Sequence, residues 1–427
     1  MNILFIHQNF PGQFKFLAPA LARKGNQVRA LTMQPQAAEH IDGIQVSRYT
    51  NARGTSPNVH PWVSDFETKV IRAQACFEAC LKLKSEGFTP DLVISHHGWG
   101  ESMFVKDVWP QTLLALYCEF FYHADGADVG FDQEFIDEDE SFRCKIRLKN
   151  ANNLLHFQIA DSAISPTKWQ ASTFPESFRS KINVIHDGID TQAVKPNAQV
   201  KVTLVVSEEL NLHLTRSDEV ITFVNRNLEP LRGFHVFMRA LPLLLQKRPK
   251  ASIVIVGGDG VSYGSKPKGH QGMPSSWKDL LIKEVRPHID DADWQRVHFL
   301  GNVSYEHFLA LMQISSVHVY LTYPFVLSWS LLEAMSAGCA IVASDTQPVR
   351  EVIKHKETGI LVDFFDVDGM SKAICRLLDE PEERKKIGAL ARQSIVENYD
   401  LGTVCLPKQL EWVDTLLDRK IKLSQQS

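Results

Sequence analysis

The chain has 427 residues, 44% hydrophobic and 22% charged, with a formal net charge of -4 and a pI near 6.5. That length exceeds one ordinary core and points to two large domains. The composition excludes a disordered chain, and the weak net acidity leaves no electrostatic footprint for nucleic acid. The first apolar run, residues 2–6, is cut short by His7-Gln8-Asn9, so it reads as a buried strand rather than a leader segment. A turn at 7–12, a helix over 13–24 stopped by Gly25 and a strand at 27–31 complete a βαβ unit. Pro19 is expected to kink that helix. A long helix at 65–85 and strands at 92–95, 113–121, 162–165 and 183–185 continue the alternation of a doubly wound parallel sheet.

The pattern weakens over 195–218, which reads as a linker. A second series follows: strand 220–224, helix 233–247, strand 251–256, helix 277–285, strand 297–300, helix 305–314, strand 317–321, a turn and helix over 328–338, and strand 339–343. A helical tail over 399–423 carries Leu410, Val413, Leu416 and Leu417 on one stripe and is expected to pack back onto the first domain. The expected domains are thus 1–196, 197–400 and the tail 401–427. Seven cysteines without a Cys-x-x-Cys pair exclude a disulfide framework. Cys76 and Cys80 read as helix packing, a reducing cytoplasm is the simplest setting, and no run reaches the length of a membrane span.

Two stretches of the second series could meet a charged ligand. The run SWSLLEAMSAG at 328–338 places Glu333 in the first turn of a short helix after a buried strand, and strand carboxyl ends are where open parallel sheets bind ligands. Ser330-x-x-Glu333 equally fits a capping box, with Gly338 as the helix stop. Arg226 and Arg232 flank the turn after strand 220–224. A phosphate charge about 4 Å from one guanidinium gains roughly 4 kcal/mol at an effective dielectric of about 20. Gly257-Gly258-Asp259-Gly260 opens a glycine-rich stretch to Gly272 that holds Lys266, Lys268 and His270; it lacks a P-loop ending and reads as a mobile loop.

In order and spacing, Arg226 with Arg232-Gly233-Phe234, the run from Val297 through Gly301 to Ser304, and Ser330 to Gly338 resemble the donor domain of GT-B glycosyltransferases of family 4. The first domain is similar more loosely, through residues 2–7 with Gly12 and through residues 183–190. His7-Gln8-Asn9-Phe10-Pro11-Gly12-Gln13 resembles one bacterial subgroup. The resemblance implies an α/β GT-B fold, two Rossmann-like doubly wound domains facing a central cleft. It also implies retaining transfer of a sugar from a nucleotide diphosphate donor to a hydroxyl acceptor, with no metal and no further cofactor. Bacterial glycan, glycolipid or glycoconjugate synthesis is the setting it suggests.

On this resemblance Arg226 and Arg232 bind the diphosphate, with Arg232 one residue beyond the family's usual Lys. Glu333 binds the donor ribose. Asn225, Ser328, Ser330, Leu331 and Leu332 lie beside the donor, Gly301 and Val303 on the nucleobase side, and Gly12 lets the backbone approach donor or acceptor. Two positions depart from the family. Phe325 stands where an earlier Glu is expected, and an aromatic ring cannot accept hydrogen bonds from sugar hydroxyls. Ser328 replaces a Gly beside the diphosphate.

In the first domain the resemblance implies that His123, after strand 113–121, is catalytic together with Arg226 and Arg232, and His7, His96, His97 and Asp125 are expected on the acceptor side. The acidic run 132–140, with Asp137-Glu138-Asp139, reads as a solvated face rather than a metal site. Arg143, Lys145, Arg147 and Lys149 before Leu154-Leu155 read as a solvated face too, with peripheral contact to anionic headgroups at the inner membrane face as the alternative. The acceptor is a glycan, a lipid-linked sugar or a small molecule. Two other functions fit the residues: a non-catalytic GT-B partner subunit, which would bind nucleotide without turnover, and a nucleotide-sugar epimerase, which would form product without any acceptor.

Overall fold

The computed structural model describes residues 1–136, 141–205, 211–267 and 276–426. The acidic triplet at 137–139, Lys268 and His270 therefore lie outside the described residues. The chain forms two compact units, Met1–Gly188 with Leu401–Ser427, and Ile189–Asp400. The division thus falls at Gly188/Ile189, a little before the expected 196/197.

The first unit is built on an eight-stranded sheet of β1 (Asn2–Ile6), β2 (Gln27–Thr32), β3 (His40–Ile41), β4 (Ile44–Arg48), β5 (Leu92–His96), β6 (Leu113–Tyr117), β7 (Ser162–Ser165) and β8 (Ile182–Val184). Its order is β3-β4-β2-β1-β5-β6-β7-β8, parallel except for the short β3–β4 pair. The central strands β5, β6 and β7 are buried along their whole length, as continuous apolar runs in a sheet covered on both faces should be. The expected strand 113–121 ends early, at Tyr117, because its neighbour β7 is short: the Cys118 amide still donates to the Ile164 carbonyl, and beyond it no strand is left to pair. The apolar run continues as a loop, with Phe121 packed on Phe157 and Phe174. Pro19 does not kink the first helix, which starts only at Leu17 (Leu17–Arg23), so Pro19 lies in the first turn, where a missing N–H costs nothing.

The tail helix Leu406–Gln426 follows a π turn at Leu401–Cys405. Trp412, Val413, Leu416 and Leu417 join Ile3, Phe5 and Phe14 in one core. The Trp412 indole donates to Ser162 Oγ (3.0 Å) and the Gln409 amide to the His186 carbonyl (3.0 Å). Cys76 and Cys80 are buried in a second core of this unit, on helix Ser64–Ser85.

The second unit opens where a linker was expected. β9 (Lys201–Val205) and β10 (Asn211–Thr215) pair antiparallel, and the alternation of exposed and inward residues sets Leu204 and Leu214 on the core of Phe308 and Leu311. A six-stranded parallel sheet follows, ordered β13-β12-β11-β14-β15-β16. Its strands are β11 (Val220–Asn227), β12 (Ser252–Gly258), β13 (Val297–Phe299), β14 (Val317–Tyr320), β15 (Ala340–Ser344) and β16 (Ile360–Val362). Among the described residues no helix is long and apolar enough to cross a membrane.

Because Trp412 is buried in the core of the first unit, Trp412→Ala is expected to destabilise that unit by about 3–5 kcal/mol. Urea unfolding followed by hydrogen exchange in β1 and β7 checks this, and an unchanged midpoint would show that the tail is not part of the core.

Candidate active site

In the second unit the site grows from the carboxyl end of β11. Asn225 and Arg226 sit on the last residues of that strand, and the chain then turns through Pro230–Arg232 into helix Phe234–Lys247. Gly233 makes the turn possible: its φ is +69°, and a Cβ there would lie 2.3 Å from that of Leu321. This tight turn holds Arg232 inside, only 7% exposed. Its Nη1 donates to Thr322 Oγ1 (2.8 Å) and to the Val326 carbonyl (3.0 Å). Among the described residues Arg232 has no carboxylate partner. A buried charge without its counter-ion is worth several kcal/mol of penalty, which an arriving anion would relieve. Arg226 is exposed and also makes no ion pair among the described residues.

Phe325 follows β14 and faces the same guanidinium. The Arg232 guanidinium carbon lies 5.8 Å from the Phe325 ring centre and 5.7 Å from that of Tyr263, and the two rings are 4.8 Å apart. Tyr263 belongs to the glycine-rich stretch, which is not free over its described part. Glu229, 1% exposed, accepts the backbone N–H groups of Ser262, Tyr263 and Gly264, and the Trp277 indole donates to the Ser265 carbonyl (2.8 Å). The expected mobile loop is therefore anchored over 262–265 by two buried side chains.

The helix after β14 runs Trp329–Ser336, and its cap is Ser328 rather than Ser330. Ser328 has the extended backbone that an N-cap needs; its Oγ accepts from the Ser330 amide (3.3 Å) and its carbonyl from the Leu331 amide (3.3 Å). The Ser328 amide itself donates to the Tyr320 hydroxyl (3.0 Å). Two consequences correct the sequence reading. Glu333 lies in the second turn and forms no capping box, and several amides at the helix start are already engaged. The Leu331 and Leu332 side chains are core residues. Glu333 Oε1 instead accepts the hydroxyl of Tyr305 (2.7 Å), a residue 54% exposed at the start of helix Tyr305–Ile314. Just before it Gly301, at φ +63°, accepts the Gly257 amide (3.0 Å), and Val303 packs partly buried on the core, so the ends of β12 and β13 meet there.

In the first unit a cluster forms where β1, β5 and β6 end. His7 is buried; its Nδ1 accepts the Asn9 amide (3.0 Å), so Nε2 carries the proton and donates to Gln13 Oε1 (2.7 Å). Burial, aided by the neighbouring His96, pushes its pKa down to about 3. Gly12 serves this ring. At φ +47° a Cβ would come within 2.2 Å of the His7 imidazole, so the close approach is to His7. His96 stacks on Trp99 (4.1 Å between centres) and lies 3.5 Å from Glu119, to which Gln13 also reaches at 3.5 Å.

The other first-unit candidates have their contacts elsewhere. His97 is a core residue: its Nδ1 lies 3.1 Å from the Tyr117 carbonyl, its ring packs on His156 and Phe157, and burial holds its pKa well down. The acceptor-side expectation for it is corrected. His123 is half-buried, with Nε2 donating to the Thr173 carbonyl (2.7 Å). Asp125 is exposed and held by both terminal nitrogens of Arg143 at 2.6 Å, which lowers its pKa through that hydrogen-bonded pairing. Trp99, Glu119, Glu229, Tyr263 and Tyr305 were not anticipated. Only Tyr305 had a sequence signal, an aromatic residue directly after the helix cap Ser304.

Residues 24–194 match the sequence profile of the "Glycosyl transferase family 4 group", and residues 208–394 that of "Glycosyl transferases group 1". Phosphatidyl-myo-inositol mannosyltransferase of Mycolicibacterium smegmatis is 31% identical over 194 residues, 44% of this chain and 43% of that protein. The chain spans about half the length of the curated relatives it matches. Sucrose-phosphate synthase from Thermosynechococcus elongatus is similar in structure with a TM-score of 0.69 at 18% identity, over 98% of this chain and all (100%) of that one. HepE from Anabaena, solved in complex with UDP, gives 0.66 at 15% identity, over 97% and 100%. At these identities the likeness is one of fold, and the fold is GT-B.

The histidine environments carry a pH dependence. Burial lowers His7 to about 3 and His156 and His186 to about 4, below the unfolded value near 6.5. Between those values the unfolded chain binds more protons, so stability falls as pH drops from about 6.5 toward 4, by up to about 1.4 kcal/mol per pH unit per group. Thermal unfolding at pH 7, 6 and 5 should show a falling midpoint, less steep in His7→Gln; a slope unchanged in that variant would contradict the burial of His7 as a neutral ring.

Proposed function

We propose, on the premise that this chain is a GT-B glycosyltransferase of family 4, that it moves a sugar from a nucleotide diphosphate donor to an acceptor hydroxyl. The observation that carries this reading is Arg232, a buried guanidinium without a carboxylate partner among the described residues, at the carboxyl end of the second sheet. As the anomeric C–O bond to the diphosphate breaks and a bond to the acceptor oxygen forms, negative charge grows on the departing phosphate, which can take up the proton that the acceptor hydroxyl gives up. Arg232, prepositioned by Thr322 and Val326, offsets that charge with little reorganisation, and exposed Arg226 adds a second cation. With two guanidinium groups in this role, we propose that transfer needs no metal and retains the anomeric configuration, as the family resemblance implies.

Glu333 is the proposed ribose ligand. Tyr305 holds one carboxylate oxygen, which orients the group for ribose hydroxyls. In the first unit, the cluster of His7, Gln13, His96 and Glu119 is the proposed acceptor side. His7 stays neutral there, and Glu119 is its carboxylate. Phe325 supports a second reading, a non-catalytic partner subunit that binds nucleotide, and binding without transfer or donor hydrolysis would favour it.

A thermal-shift panel of UDP, GDP, ADP and TDP tests the nucleotide site: a binder at about 100 times its dissociation constant stabilises the protein by about 2.7 kcal/mol. Arg226→Ala, an exposed substitution, should leave folding within about 0.5 kcal/mol and weaken that nucleotide at least about tenfold. No shift with any of the four, together with an Arg226→Ala protein that binds as the parent does, would overturn the reading. Transfer is further expected to survive EDTA, and activity lost to chelation and restored by magnesium would refute the metal-free step.

A further inference from the structure

We propose that the acceptor taken by the first unit is a carbohydrate, seated with a ring face on the Trp99 indole and with a hydroxyl donating to the Glu119 carboxylate. The inference rests on the reading of this cluster as the acceptor side and names its substrate class. Trp99 stands on the turn after β5, stacked on His96 (4.1 Å between centres, 22° between planes) and edge-on to His7 (5.0 Å). The ring is only half-buried, so part of the indole meets solvent. The turn that carries it is fixed: the His97 carbonyl takes both the Gly100 amide (3.0 Å) and the side-chain amide of buried Asn152 (2.9 Å).

The hydrogen bonds of the cluster converge on Glu119. His7 Nε2 donates to Gln13 Oε1 (2.7 Å), and Gln13 Nε2 donates in turn to Glu119 Oε1 (3.5 Å). His96 Nδ1 accepts the Gly98 amide (3.3 Å), so its Nε2 carries the proton, 3.5 Å from Glu119 Oε2. Each carboxylate oxygen thus faces an oriented N–H on the protein side, while the Glu119 side chain keeps 30% of its surface exposed. A carboxylate accepts through several lone pairs on each oxygen, and a hydroxyl that donates to it makes a charge-assisted hydrogen bond. A sugar offers both things this site can use, an apolar C–H face for an indole and hydroxyls around its rim. A lipid alcohol or a serine side chain brings a hydroxyl without such a face.

The test is calorimetric titration of the full chain with the methyl glycosides of glucose, galactose, mannose and N-acetylglucosamine. Glycerol and N-acetylserine amide, hydroxyl donors without a ring face, serve as contrasts. At least one glycoside should bind at least about tenfold more tightly than either contrast. Trp99→Leu, which keeps apolar bulk in the packed turn, should weaken that glycoside about tenfold. Glu119→Gln, which keeps the side-chain shape at a partly exposed position, should do the same and decides the matter should Trp99→Leu fail to fold. The proposal is overturned if no glycoside exceeds the contrasts, or if either folded variant binds its glycoside as the wild type does. Affinity for UDP, GDP, ADP and TDP, measured on the same samples, separates the two ideas. Its absence with glycoside binding intact sinks the nucleotide reading and leaves this site standing, whereas its presence with either overturning result sinks this inference alone.

Discussion

A buried guanidinium with no carboxylate partner among the described residues is the constraint around which the second unit is arranged. Arg232 can be held inside only because Gly233 takes a left-handed turn that no side chain could share with Leu321. Its fork is then fixed by the Thr322 hydroxyl and the Val326 carbonyl, both on the segment that leads from β14 to the helix Trp329–Ser336. That segment is tied again by the Tyr320 hydroxyl, which receives the Ser328 amide. Charge, turn and helix start are thus one rigid object. The stability it forgoes by leaving the charge uncompensated is of the size an incoming diphosphate can return.

The first unit uses the opposite electrostatics. Its cluster at the ends of β1, β5 and β6 is made of packed imidazole and indole rings, with His7 kept neutral by burial and by the neighbouring His96, and its proton placed on Nε2 by the Asn9 amide at Nδ1. Glu119 is the charged member of that group of side chains and reaches both Gln13 and His96. Hydrogen-bonding imidazole and amide groups beside a carboxylate suit a hydroxyl acceptor, as a cation suits a diphosphate. The rings of Phe325 and Tyr263 lie beside the cation of the second unit.

Much of the fold was legible because buried parallel strands leave continuous apolar runs and helices leave glycine and serine punctuation. The helix Tyr305–Ile314 was read with its observed bounds, since Ser304 caps it. Misreadings came where a neighbour decides. Strand β6 stops at Tyr117 because β7 is short, and β9 and β10 pair antiparallel with an alternation too brief to stand out in the sequence. Ser330 had the spacing of a capping box, yet Ser328 caps, because the backbone dihedrals of the entering segment are set by Tyr320 across the sheet end.

The sequence by itself determined the two α/β series, the cationic turn at Arg226 and Arg232, and the carboxylate Glu333. Each is a matter of residue type and spacing along one chain. Only the tertiary structure decided that Arg232 is buried and unpaired among the described residues, that Tyr305 grips Glu333, that Glu229 anchors the loop bearing Tyr263, and that His97 is core while His96 joins His7 and Glu119. Those outcomes depend on burial and on partners dozens of residues away. Desolvation and hydrogen bonding act through space, and no local pattern in the chain records them.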